Sequence, residues 1–190
     1  MPKWLASLVV AFAFAFAAAP ATAANGPYAP YEFLIGDWNV SVAERPPAMV
    51  ARFSWGPNRS YIRYAASLLT AKGEEPHFEG VLMWNGVAKN LDMLLMLDLT
   101  ARAAVQERGT LSVASDGALV REISASYSEG ATPIGGQRAG ADGTTMHFRQ
   151  TYRHLAPDKI ATAAMRETPQ GWAPTFPGAD RMIMTRRAAN

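Results

Sequence analysis

Phe33-Leu34-Ile35-Gly36-Asp37-Trp38-Asn39-Val40-Ser41-Val42 is the stretch whose reading decides the fold. From Gly36 onward the period is two. Trp38, Val40 and Val42 point one way, and Asp37, Asn39 and Ser41 point the other. That alternation describes a strand with one buried face. Ahead of it, Pro27 and Pro30 make Asn25 to Pro30 an extended lead-in, because neither proline lets a helix continue. Tyr31 to Leu34 has room for one helical turn that plugs the end of whatever follows. Arg45-Pro46-Pro47 ends the strand.

Every later segment reads as another antiparallel strand. Met49 to Trp55 is closed by Gly56-Pro57-Asn58, Ser60 to Leu69 is rich in Tyr and small residues, and His77 to Trp84 follows a polar break. Asn85-Gly86 carries the signal of a two-residue hairpin. Lys89 to Leu99 is apolar on both faces (Leu91, Met93 and Leu95 against Leu94 and Met96), which predicts a strand covered on both sides. Ala104 to Val113 and Leu119 to Tyr127 flank a tight Asp116-Gly117 turn. Ser128 to Gly143 is glycine-rich and reads as an exposed loop. Thr144 to His154, Lys159 to Glu167 and Arg181 to Arg187 complete the set, with a proline-rich connection, Thr168 to Ala179, before the last. Short strands joined by hairpins mean a sandwich or a barrel. A meander of this length removes its edges by closing on itself. The expected fold is all-β: a closed antiparallel up-and-down barrel of about ten strands with little helix.

The start of the chain has a different character. Lys3 precedes an apolar run from Leu5 to Ala19, Pro20 breaks it, and Ala21-Thr22-Ala23 is a small-x-small site. This is the pattern of a cleavable signal peptide, residues 1–23, too short in its apolar run to span a bilayer comfortably. It predicts a periplasmic or secreted protein with a lead-in over 24–35 and one domain over 36–190. The formal charge is only +2 and falls by one with Lys3 removed, which gives no reason to expect nucleic acid or a membrane surface as partner. There is no cysteine, which rules out disulfides, thiol catalysis and zinc-thiolate sites. No second apolar segment of spanning length follows.

Gly36-Asp37-Trp38 opening the first strand, a meander of about ten strands, and the pair Arg186-Arg187 ending the last one resemble the calycin superfamily: lipocalins, fatty-acid-binding proteins and nitrobindin-like proteins. The likeness is nearest to small bacterial lipocalin-like domains of unknown function. It implies structural roles for Gly36 and Trp38, with the tryptophan at the closed end of a barrel and Arg186 or Arg187 packed over its ring. The chain departs from the pattern in three ways. It has no Thr-Asp-Tyr motif between the middle strands, no helix after the last strand, and neither the glycine-rich first strand nor the C-terminal histidine of haem-binding nitrobindins. The resemblance therefore carries the fold across but not a ligand.

The candidate site residues come from strand parity. Arg121 sits among Leu119, Ile123 and Ala125 on its face, and Arg63 between Tyr61 and Ala65. An arginine inside an apolar barrel captures a carboxylate or phosphate bidentately; the alternatives are a solvent-facing edge, or internal pairing with Asp92 or Asp98. Tyr61 and Tyr152 supply hydroxyl donors. Gln150, Tyr152 and His154 share the parity of Phe148. Met93 belongs to a set of strand methionines that either line a site for an irregular apolar molecule or fill the core. No metal site, cofactor or nucleophile motif is present in the sequence; the lone imidazole of His154 has no second ligand at useful spacing. Trp172 and Phe176 form either a lid or a plug at a barrel end. The expected partner is a small hydrophobic or amphiphilic molecule, anionic if Arg63 or Arg121 meets its head group. The rival expectations are an isomerase or hydrolase using His154, Tyr152 and Asp92, and a filled barrel that works through its outer face.

Overall fold

The computed structural model describes residues 26–43, 45–97, 105–131 and 142–188. The expected signal segment, Asp98 and most of the glycine-rich loop lie outside the described residues. Within them the chain forms eleven strands: β1 Gly36–Val42, β2 Met49–Trp55, β3 Ile62–Thr70, β4 Gly73–Asn85, β5 Asn90–Leu97, β6 Val105–Val113, β7 Leu119–Tyr127, β8 Thr144–Ala156, β9 Lys159–Thr168, β10 Gly171–Pro174 and β11 Met182–Arg186. Each of β1 to β9 pairs antiparallel with the next, and β11 pairs with both β9 and β1. Ten strands therefore close into an up-and-down barrel. The short β10 lies outside that ring, paired with β9 from Met165 to Thr168, beyond the Lys159–Thr162 stretch that β11 occupies.

One end is plugged. A 3₁₀ turn, Ala29–Leu34, buries Tyr31 and Leu34 in the core at the end where β1 begins. Trp38, 0% exposed, donates its indole N–H to the Leu34 carbonyl at 2.7 Å, and the Tyr31 hydroxyl donates to the Leu111 carbonyl. Above this plug a dense layer of Phe53, Ile62, Tyr64, Leu82, Leu91, Met93, Leu111, Leu119 and Tyr152 fills the barrel. Gly80 faces inward directly across from Tyr64, where a Cβ would strike the β5 backbone. An inward glycine lets neighbouring strands approach and turn a barrel corner.

Three sequence expectations need correction. The outer face of β5 is not covered: Leu94 is 39% and Met96 43% exposed beside Met83 on β4. Apolar character on both faces fits a buried strand, but ordinary proteins also expose a large apolar area. The β4–β5 connection is Gly86 to Lys89, not two residues, because Asn85 stays paired with Asn90. The Asn85 side chain instead accepts from the Val87 and Ala88 N–H groups, and Lys89 takes a φ of 59°. The proline-rich connection before the last strand contains β10.

Candidate functional site

The plug leaves the opposite half of the barrel open. There, a cavity of about 220 Å³ is walled by Val40, Val42, Met49, Leu68, Phe78, Ile123, Tyr127, Phe148, Ala164 and Met182. These residues lie on the half of the barrel away from the plug, toward the ends of β1, β3, β7 and β9 and the starts of β2, β4, β8 and β11. Phe176, in the connection from β10 to β11, lies exposed at its mouth, and buried Thr175, Ala48 of the β1–β2 connection and Val42 at the end of β1 also line it. The backbone of this connection is fixed through Ala164, whose N–H donates to Ala179 at 2.7 Å and whose carbonyl accepts from Thr175 at 3.0 Å.

The floor of the cavity is polar. Arg121 on β7 and Glu107 on β6 are only 5% and 6% exposed and form an ion pair through Nη2 and Oε2. Arg121 stands opposite Leu111, so its side chain runs diagonally past Gly109, which presents no side chain, to reach Glu107. On the other flank its Nη1 donates to Gln150 Oε1 at 3.0 Å, directly across the β7–β8 ladder, and Gln150 donates on to Thr162 at 3.3 Å. The guanidinium carbon lies 5.6 Å from the Tyr64 ring centroid. Its Nε–H is buried and has no hydrogen-bond partner. Under Arg121 a second void, about 10 Å³, is enclosed by Phe53, Tyr64, Leu82, Met93, Leu111 and Tyr152.

Burial sets the electrostatics here. It pushes the Glu107 carboxyl above the usual carboxylate range, with Arg121 pulling it back only in part. Burial also raises the Tyr64 and Tyr152 hydroxyls. Tyr127 is pushed up to about 12, by burial first and then by Glu107. The tyrosines are thus neutral hydrogen-bonding groups at ordinary pH.

The sequence-predicted residues separate into two groups. Arg121 and Gln150 meet on the cavity floor, with Tyr152 and Met93 in the packed layer just below. Arg63 is exposed on the outer face, Tyr61 packs its ring against Gly56, and His154 stacks on Phe33 at the plugged end with centroids 4.9 Å apart. Inward parity in β3 belongs to Ile62, Tyr64 and Ala66 instead. Asp92, His154 and Tyr152 point to three separate places; Asp92 lies on the outer face of β5, where Asn85 donates to it. Internal pairing of Arg121 falls to Glu107, which sequence reasoning passed over. Its parity with Val105 and Leu111 was the available signal. At the plugged end the Arg186 guanidinium lies 4.3 Å over the Trp38 ring and donates to the carbonyls of Ile35 and Pro157.

Among the described residues no group of three His, Cys, Asp or Glu side chains is placed to hold a metal ion, and no helix is long and apolar enough to cross a membrane. A closed ten-strand antiparallel barrel with little helix, plugged at one end and hollow at the other, is consistent with a calycin- or lipocalin-like fold. Neither a family model nor a curated protein matches the chain.

Proposed function

We propose that this is an exported, calycin-like binding protein that holds one small, mostly apolar molecule in the open half of the barrel. The observation that carries this reading is the cavity itself: apolar walls converging on a few fixed polar groups, Arg121, Glu107 and Gln150. That is the usual build of a small-molecule site, in which apolar burial drives binding and the polar groups set orientation. A barrel of this strand number has room for its own side chains or for one small ligand. Here the plugged half takes the side chains. A cavity of about 220 Å³ is smaller than the roughly 300–1,000 Å³ of typical ligand pockets. The ligand is therefore a compact molecule, with its polar end on the floor and its apolar body toward Phe176. Export rests on the Lys3 to Ala23 pattern.

The test is native mass spectrometry on mature protein recovered from its own host, compared with Ala164→Phe, which fills the cavity. The expected result is a reproducible mass excess on the wild type, lost on unfolding and missing from the variant. An excess carried equally by both proteins would place the ligand elsewhere. An N-terminus that retains residues 1–23 would end the export reading.

A further inference from the structure

We propose that this cavity selects an uncharged, hydrogen-bonding head group, such as an alcohol or amide, over a carboxylate on the same apolar chain, because Glu107 neutralises Arg121 at its floor. The proposal rests on the ligand-site reading above and narrows it to a class of ligand.

A guanidinium carries five N–H donors and one charge. At Arg121 the charge is already answered by Glu107. Nη1 meets Gln150, Nη2 meets Glu107, the Tyr152 hydroxyl also bonds the guanidinium, and Nε is sealed off from the cavity. The floor thus presents polar atoms of Arg121, Glu107 and Gln150 that together carry no net charge. An incoming carboxylate has two ways to bind, both costly. It can add a third charge to a buried pair, or it can displace Glu107 and leave that carboxylate buried without its cation. An alcohol or amide requires neither, and it can accept from the Arg121–Gln150 side while donating to Glu107.

The other titratable side chains at the cavity do not change this balance. Arg149 is turned to the outer face, where it pairs with Glu122 at 2.6 Å and stacks 4.5 Å over Trp172. His77 sits at the mouth, next to Phe78 rather than on the floor. Tyr64 and Tyr127 are held neutral by burial.

Matched octyl compounds test the proposal: 1-octanol, octanamide, octanoate and octylamine, titrated at neutral pH against a fluorescent apolar probe in the cavity. On the wild type, octanol and octanamide should bind at least about tenfold tighter than octanoate or octylamine, a modest discrimination for a buried charge. Glu107→Gln leaves Arg121 unanswered, so in that variant octanoate should gain about tenfold and overtake octanamide. If that variant does not fold, the wild-type series decides alone. Octanoate or octylamine binding the wild type as well as octanamide does would overturn the head-group proposal and leave the ligand-site reading standing. Failure of all four compounds and of the probe to bind, with Ala164→Phe behaving as wild type, would remove the ligand-site reading and this proposal with it.

Discussion

Removing either half of the Glu107–Arg121 pair strands the other half inside the barrel, so the penalty belongs to the charge left behind. Arg121→Met should cost about 3–5 kcal/mol in urea unfolding at neutral pH. The pH dependence follows from the sign of the Glu107 shift. Burial holds its carboxyl above the ordinary range, and in the variant Arg121 no longer opposes that. A carboxyl raised on folding takes up a proton, so stability is gained as pH falls through the raised value and lost as pH rises through it. The deficit of Arg121→Met should therefore shrink toward pH of about 4, where glutamate is half-protonated even when unfolded. A deficit that stays flat over this range would mean the loss comes from packing. Glu107→Leu combined with Arg121→Met should recover most of it, since an apolar pair leaves no charge behind. At the plug, Gly36 has a φ of 134° and lies under the Arg186 guanidinium, so an added Cβ meets both backbone strain and a clash. Gly36→Ala should cost about 1–3 kcal/mol by thermal melting. Arg186→Lys should lose about 1–2 kcal/mol, because an ammonium cannot cover the Trp38 ring and reach two carbonyls at once.

At the scale of elements, the connection from β10 to β11 decides access. Its backbone is held through Ala164, but Phe176 at the mouth remains 37% exposed. Phe176→Ala should speed ligand release several-fold and leave stability within about 0.5 kcal/mol. Stopped-flow displacement of the bound probe measures the first effect and urea unfolding the second; an unchanged release rate would move the entry path elsewhere. This element was also the hardest to read from sequence. β10 is only Gly171 to Pro174, too short for any period to show, and its pairing depends on β9. Strand parity was legible where one face is clearly apolar, which is how Trp38, Arg121, Gln150 and Tyr152 were oriented from sequence. It failed in β3, where Tyr61, Arg63 and Ala65 look as apolar as Ile62, Tyr64 and Ala66. Only pairing with Phe53 and Gly80 settles which set faces in. In β8 the parity of His154 continues that of Tyr152, but the strand runs past the barrel wall to Phe33. Alternation gives a side without saying where the wall ends.

The whole molecule is a ring, and a ring closes at one seam. Eight of the ring's ten pairings join neighbours in sequence, whereas β1 meets β11 across the full length of the domain; Ile35 and Arg186, bonded there, are 151 residues apart. Loop-closure entropy makes such a pairing late and slow, and all-β topologies fold in about milliseconds to seconds for this reason. Val40↔Met184 lies within the seam, and Met184 is 1% exposed. Met184→Ala should cost about 2–5 kcal/mol as a buried truncation. If the seam forms after the transition state, that loss appears almost wholly as faster unfolding, with the refolding limb of the chevron unmoved. Leu95→Ala is the comparison: Leu95 is equally buried, but it sits in the local β4–β5–β6 meander and should slow refolding. Should Met184→Ala slow refolding as much as Leu95→Ala does, the barrel would be nucleating through its closure, and the order of assembly argued from contact separation would be wrong.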